Sequence, residues 1–358
     1  MLAAAARRGV DVRVVVDGFG SKATLPRLHQ WLDDAGVDLV VFRPIDRWWS
    51  WFAPGQARRL HQKLCVVDSG IAFVGGINII DDRNDLRHGF GSAPRLDFAV
   101  QVCGAAVAEV EQSVQALWTR AKMGHVWREE VASLARSAAP GARMRSLAQR
   151  MRIVRPHRAA LTHTALPPVV LALVVRDNLR QRRSIERAYM EAFQQARVSI
   201  DVVTPYFYPG RTFRRALVRA ARRGVRVRLL LQGKVDYRIA GLAARVLYDE
   251  LLAEGVQIFE YTPAFLHAKV ALVDTDWSTV GSSNIDPLSL LLNLEANVVV
   301  RDAPFGRLVE SELDRAMAAS RPVLVAPYAT GWLAVVRRAF VATVAHWFMR
   351  MAGFSGRY

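Results

Sequence analysis

A histidine and a lysine separated by one residue occur twice in this chain, each time inside the longer pattern His-x-Lys-x4-Asp-x6-Gly-x2-Asn. The first copy is His61, Lys63, Asp68, Gly75 and Asn78; the second is His267, Lys269, Asp274, Gly281 and Asn284. An imidazole can attack an electrophile or carry a proton near neutral pH, a lysine adds positive charge, and an Asn amide donates hydrogen bonds. Displacement at a phosphodiester needs a nucleophile, an acid for the leaving alkoxide, and positive charge around the phosphoryl oxygens. Two His, two Lys and two Asn supply that inventory with no metal. Identical internal spacing in both copies points to two half-sites related by a pseudo-two-fold axis.

The elements that must hold these residues are legible nearby. Leu64-Cys65-Val66-Val67 and Val270-Ala271-Leu272-Val273 read as strands. Side chains alternate along a strand, so His and Lys two residues apart project to one face. The Asp of each copy ends its strand at a turn, Asp68-Ser69-Gly70 or Asp274-Thr275-Asp276. A second strand then leads to Gly75-Gly76-Ile77-Asn78 or Gly281-Ser282-Ser283-Asn284, where glycine permits close backbone approach. Each imidazole also needs a partner on its other ring nitrogen. Asp97 and Glu295, at comparable places downstream, are the candidates.

The duplication extends beyond the motifs. Ala5-Ala6-Arg7-Arg8-Gly9-Val10 matches Ala220-Ala221-Arg222-Arg223-Gly224-Val225, and Leu32-Asp33-Asp34-Ala35-Gly36-Val37 matches Leu251-Leu252-Ala253-Glu254-Gly255-Val256. Each reads as a helix end, a Gly cap and a buried strand. The second half carries a helix (184–196), a strand (198–204) and another helix (212–222) that the first half lacks. The first lobe is therefore expected to be N-terminally truncated, as in a fragment or a late-start gene model. About forty residues, including an edge or central strand, would be missing, and their loss would leave sheet hydrogen bonds unpaired.

These segments resemble the phospholipase D superfamily, whose signature is the duplicated pattern, and within it the bacterial cardiolipin synthases of the B type. The resemblance is carried by 60–68, Phe73-Val74-Gly75-Gly76-Ile77-Asn78, 266–274 and 281–297. It covers residues 5–125 and 180–305. The fold it implies is α/β: two pseudo-symmetric α/β/α lobes with mixed sheets and an active site at the lobe interface. The expected domains are a first lobe (1–130), a basic linker (131–180), a second lobe (181–325) and a basic-aromatic C-terminal amphipathic helix (326–358).

The resemblance also implies a mechanism with no cofactor. His61 attacks the phosphorus of a phosphatidylglycerol, giving a phosphatidyl-histidine and releasing glycerol. His267 protonates the leaving alkoxide and then deprotonates the hydroxyl of a second phosphatidylglycerol, which attacks to give cardiolipin. Lys63, Lys269, Asn78 and Asn284 hold the phosphoryl oxygens, Ser283 adds a hydrogen bond, and Asp97 and Glu295 orient the imidazoles. Asp68 and Asp274 are grouped with the catalytic residues. A hydrolytic phospholipase D or a nuclease could use the same groups, depending on whether water, a lipid alcohol or nucleic acid reaches the site. The donor, the acceptor and the oligomeric state are not readable.

Composition fits an anionic partner. Lys+Arg 49 against Asp+Glu 32 gives a net charge of +17 over 358 residues, suited to nucleic acid or an anionic membrane surface. The aromatics cluster near basic ends rather than along a strand-binding groove, so a membrane is expected and nucleic acid is not. Cys65 and Cys103 lie in apolar strand patterns, where a buried thiol is the usual outcome. No secretory signal is evident. The apolar stretches 165–175 and 339–349 fall short of the roughly 20 residues a span needs. Peripheral attachment at the cytoplasmic face of a bacterial inner membrane is thus expected, through the Arg-rich stretch 134–158, the aromatic-basic stretch 332–350, or Arg47-Trp48-Trp49-Ser50-Trp51-Phe52.

Overall fold

A computed structural model describes residues 1–44, 58–85, 89–134, 169–177, 181–234, 247–286 and 288–324. The chain divides into two compact units: Met1–Leu60 with Cys65–Ala72 and Cys103–His163, and His61–Leu64 with Phe73–Val102 and Thr164–Tyr358. Both motif histidines, both motif lysines and both candidate carboxylates belong to the second unit. The stretches 47–52 and 332–350, and the Arg-rich stretch beyond residue 134, lie outside the described residues.

In the first half, α1 (Leu2–Arg7) leads into β1 (Arg13–Asp17), and α2 (Leu25–Leu32) into β2 (Asp38–Phe42). β1 and β2 pair in parallel. The expected Gly caps are present: Gly9 and Gly36 adopt φ +91° and +76°, as do their counterparts Gly224 and Gly255 at +87° and +82°. Left-handed backbone of this kind is open to glycine at no steric cost and ends each helix before a strand. Leu32, Ala35 and Val37 form a small core against Val12, Val14 and Leu39. The Asp17 carboxylate closes the end of β1 by accepting N–H bonds from Phe19, Gly20 and Leu60. A separate sheet contains β3 (Lys63–Val67), β4 (Ile71–Gly75) and β5 (Ala99–Cys103) in the order β3-β4-β5. The long helix α3 (Val107–Leu134) follows.

The second half is built around β6 (Val170–Arg176), α4 (Ser184–Gln195), β7 (Ser199–Thr204), α5 (Arg211–Arg222), β8 (Arg226–Gln232) and α6 (247–253). After these come β9 (Gln257–Tyr261), β10 (Val270–Val273), β11 (Trp277–Gly281), β12 (Glu295–Arg301), α7 (Ala303–Ala318) and β13 (Arg321–Pro322). Its strands form one mixed sheet in the order β13-β9-β8-β7-β10-β11-β12-β6. β9, β8 and β7 run parallel, and β10, β11, β12 and β6 continue antiparallel from β7. Period-2 alternation splits the apolar residues between two faces. On one face Ile200, Val202, Leu229 and Leu231 pack with Ile185, Tyr189 and Phe193 of α4 and Phe213 and Leu217 of α5. On the other, Val203, Leu230, Val270 and Leu272 pack with Val309, Leu313 and Met317 of α7.

The two copies of the motif hairpin differ in cover. Every residue of β10 and β11 is buried, whereas β3 has no buried residue and β4 buries only Ala72, Val74 and Gly75. Cys65, expected to be buried, is exposed, and Cys103 is half-buried. β10 lies between β7 and β11 under helices on both faces, while β3 is the end strand of its sheet.

Asp274 explains part of this order. At the turn after β10 its carboxylate accepts the backbone N–H groups of Arg197, Val198 and Ser199 at 2.7, 2.8 and 2.8 Å, locking the entry of β7. Gly306 of α7 lies against the same turn, where a Cβ would fall 1.8 Å from the Thr275 carbonyl oxygen. Three charge-assisted bonds to otherwise unpaired donors are costly to lose. Asp274→Ala should therefore destabilise the protein by about 2–3 kcal/mol, read as a lowered denaturant midpoint at constant m.

Candidate active site

Each motif histidine is clamped by the segment that follows the other copy of the motif. The His61 N–H donates to the Leu294 carbonyl at 3.0 Å, and its Nδ1 bonds Glu295 Oε2, one residue on, at 3.0 Å. The His267 N–H donates to the Leu96 carbonyl at 2.8 Å, and its Nδ1 bonds Asp97 Oδ2, again one residue on, at 2.6 Å. Strand alternation makes this possible: Leu96 and Phe98 pack on the core beneath β10 while Asp97 between them projects to the site. An ionised carboxylate only accepts, so both Nδ1 atoms carry their hydrogen and both Nε2 atoms are left for chemistry. The Gln62 amide adds a bond to the Glu295 carbonyl at 3.1 Å.

The lysines repeat the symmetry. Lys63 Nζ donates to the His61 carbonyl at 2.7 Å, and Lys269 Nζ donates to the His267 carbonyl. Each lysine thus folds back on its own motif, holding the backbone of the histidine. Lys269 is 1% exposed. Burial lowers its ammonium strongly from the ordinary lysine value, with Asp97 opposing.

The two carboxylates are unlike. Burial alone would raise Glu295, but His61, by charge and by hydrogen bond, Lys63 and the Ser282 hydroxyl together hold it below the ordinary carboxyl value. Burial raises Asp97 well above that value, although Lys269, the Phe98 N–H, Lys63 and Arg95 all favour its anion. The imidazoles follow suit. Burial lowers His61, with Glu295 opposing by charge and hydrogen bond and Lys63 and Lys269 adding to the lowering. His267 is pushed well below the usual imidazole value by burial and then by Lys269, Lys63, His61 and Arg95, all cationic.

The structure therefore brings together His61, Lys63, Asp97, His267, Lys269 and Glu295. Asn284 is buried with its Oδ1 unpaired, and Ser283, also buried, donates to the Asn284 carbonyl at 3.3 Å. Asn78 is half-buried after β4. Asp274 is not part of this group: the whole of β10 separates it from His267, and its carboxylate is spent on the N–H groups of 197–199. Asp68 occupies the matching turn after β3, with φ +49° against +50° for Asp274. Both pattern Asp residues sit at turns, and Asp274 also holds a strand entry.

Two residues escaped sequence reasoning. Ser282, fully buried, donates to Glu295 Oε2 at 2.5 Å and accepts from the Ala296 N–H at 3.0 Å. The signal for it was the Gly-Ser of the second motif standing where the first has Gly-Gly. Arg176, at the end of β6 and 1% exposed, donates to the carbonyls of Leu290 and Asn293, tying down the segment that delivers Glu295. Nothing local in the sequence marks it. Among the described residues no three His, Cys, Asp or Glu side chains are grouped as a metal site.

The family profile described as cardiolipin synthase, PLD-like domain, matches residues 1–90 and 189–317, more than half of the chain and both motif copies. The chain belongs to this phospholipase D-like family. Cardiolipin synthase B of Escherichia coli (strain K12) is 38% identical over 318 residues, 89% of this chain and 70% of its own length. Cardiolipin synthase A of Pseudomonas fluorescens (strain SBW25) is 33% identical over 307 residues, 85% of this chain and 57% of its own length. The crystal structure of phosphatidylserine synthase from Haemophilus influenzae Rd KW20 matches with a TM-score of 0.55 at 13% identity, covering 98% of this chain and 90% of that one, a likeness of fold. As a member of this phospholipase D-like family the chain is an enzyme, and its mixed α/β fold with a duplicated motif is the one expected from the sequence.

The crossed clamp has a spectroscopic consequence. Glu295→Gln removes the anion beside His61, so the His61 titration should move to lower pH while the His267 ring signals stay in place. Asp97→Asn should perturb His267 and spare His61. Histidine side-chain NMR on the two variants checks the pairing; an effect on the opposite ring in either case contradicts it.

Proposed function

We propose that this chain is a cardiolipin synthase that transfers a phosphatidyl group between two phosphatidylglycerol molecules through a phosphatidyl-histidine intermediate. The observation that carries the reading is the paired arrangement itself. Two imidazoles, each with Nδ1 tied to a carboxylate, offer two free Nε2 atoms in one site with two lysines. One Nε2 attacks phosphorus while the other protonates the departing glycerol oxygen, and the same pair run in reverse activates the acceptor hydroxyl. Lys63, Lys269, Asn78, Asn284 and Ser283 are positioned by their motifs to meet the phosphoryl oxygens, whose negative charge the buried Lys269 needs. Relatives named cardiolipin synthase at up to 38% identity support this choice of substrate and acceptor.

A lipid substrate requires the site to meet a membrane. We assign the chain to the periphery of an anionic membrane, the cytoplasmic face of a bacterial inner membrane. The loop carrying Asn78 and the short strand pair that follows it support this, exposing Ile77, Ile79 and Ile80 on the one and Phe90 on the other, with Ile79 93% and Phe90 81% accessible. Large apolar side chains held in water beside a substrate-binding residue cost free energy that insertion between headgroups recovers. No helix among the described residues is long and apolar enough to cross a membrane.

Two measurements test the reading. Purified protein incubated with phosphatidylglycerol vesicles should yield cardiolipin and glycerol in equal amounts by mass analysis. His61→Ala and His267→Ala should each cut that rate by about a thousandfold or more. Phosphatidic acid as the only product would make the enzyme a hydrolase, and DNA cleavage without any lipid product would remove the lipid reading. Separately, Ile79→Ser with Phe90→Ser should weaken co-sedimentation with the same vesicles by about tenfold.

A further inference from the structure

Three arginines meet at the carboxyl ends of the parallel strands β1 and β2, within the first compact unit. Arg43 follows the last residue of β2, and its Nη1 donates to the Arg58 carbonyl at 3.1 Å. Arg59 returns the contact, its Nη1 donating to the Arg43 carbonyl at 3.2 Å. Two of the guanidiniums lie over aromatic rings, Arg43 over Phe42 at 5.2 Å and Arg59 over Phe19 at 5.4 Å from the ring centroids. The carboxyl ends of parallel strands are where open α/β sheets bind their ligands.

The backbone is shaped around this group. Arg43 adopts φ +50°, a conformation that costs a non-glycine residue free energy and that gathers at ligand sites. The other non-glycine residues with positive φ are Asp68, Ser69, Asp274 and Thr275, all at the turns of the motif hairpins. Turn geometry accounts for those four and not for Arg43. Gly18 must lack a side chain for the group to form, because a Cβ there would fall 2.5 Å from the Arg43 carbonyl oxygen and 2.6 Å from Pro44 Cα.

The charge of the group is poorly matched. Asp17 is the acid that offsets Arg43 and Arg59. Its Oδ2 already accepts the N–H groups of Phe19 and Gly20, and its Oδ1 that of Leu60. Among the described residues neither Arg43 nor Arg58 has an ion-pair partner. Burial, and then the charges of Arg58 and Arg59, lower the Arg43 guanidinium from its ordinary value, with Asp17 opposing. Like charges held together half-buried repel one another, and an anion that binds them is stabilising.

We propose that Arg43, Arg58 and Arg59 bind a phosphodiester, the one that the acceptor phosphatidylglycerol carries and the reaction leaves intact. In the phosphatidyl-transfer reading, on which this rests, two phosphodiesters must be held and only one is attacked. The histidines and lysines of the paired motifs supply positive charge for the one under attack, and the second needs charge of its own. Guanidinium suits it: the planar fork presents parallel N–H donors to two phosphate oxygens and stays charged when half-buried. Arg58 and Arg59 stand just ahead of His61 in the chain, with Leu60 between. A free phosphate ion has the same chemistry, so the test separates the two sources.

Purified protein on phosphatidylglycerol vesicles is assayed for cardiolipin formed and for radiolabelled glycerol exchanged into phosphatidylglycerol. Glycerol is an acceptor without a phosphate, so exchange reports transfer that needs no second phosphodiester. Arg58→Gln removes a side chain that makes no hydrogen bond among the described residues, and Arg43→Gln is an independent second variant. In each, the ratio of cardiolipin formation to glycerol exchange should fall about tenfold. An unchanged ratio in either folded variant overturns the proposal, as does a lowered Tm for Arg58→Gln as its only effect, which would make the arginine structural. Calorimetric titration with glycerophosphoglycerol, the headgroup diester without acyl chains, and with inorganic phosphate identifies the ligand. Arg58→Gln should weaken diester binding by about tenfold. Loss of inorganic phosphate binding alone would give the site to a free ion and overturn the lipid assignment. Wild-type protein that forms no cardiolipin and exchanges no glycerol removes the transfer reading; the calorimetric loss then decides by itself whether the arginines hold a phosphodiester.

Discussion

Everything at this site depends on the crossed hold of each histidine by the opposite motif's downstream segment. A histidine at the mouth of a strand has a free ring that any rotamer could swing away. Here the main chain of His61 is fixed to Leu294 and its ring to Glu295, and His267 is fixed in the same way to Leu96 and Asp97. Backbone and side-chain anchors from adjacent residues act together, so ring orientation is set by the register of one strand segment against another. Neither half-site can be complete without the other, which gives the duplicated pattern its physical meaning.

That hold is also what makes the buried charge tolerable. Lys269 and Glu295, withdrawn from water, would each be costly alone. Each ammonium is bonded to a carbonyl of its own motif, and each carboxylate to the imidazole of the other. The remaining strain is expressed as shifted proton affinities: a lowered Lys269 and a raised Asp97 on one side, a firmly anionic Glu295 on the other. Two groups with opposite tendencies toward protons, in one site, form the pattern that acid–base chemistry near neutral pH requires.

Around the site, one motif hairpin is encased and the other is not. β10 and β11 sit in the middle of an eight-stranded sheet, with α4 and α5 on one face and α7 on the other. The matching strands β3 and β4 belong to a three-stranded sheet and expose Val67 and Phe73. Asp274 shows what the encased hairpin gains, since the turn at its far end is bonded to the first residues of a neighbouring strand.

The sequence by itself determined the family, the α/β class, the two half-sites and the identity of six residues that meet in them. It could do so because strand periodicity and motif spacing are local, and because the motif appears twice. The helix at 184–196, the strand at 198–204 and the Gly caps at Gly9, Gly36, Gly224 and Gly255 were legible for the same reason. Only the tertiary structure decided that Glu295 serves His61 and Asp97 serves His267, since that pairing depends on which segments meet in space across more than a hundred residues of chain. Only it removed Asp274 from the chemistry, because which end of a strand faces the site is a matter of sheet order. Burial of Ser282 and Arg176, and exposure of Cys65, likewise follow from what covers each strand, and no local pattern records that.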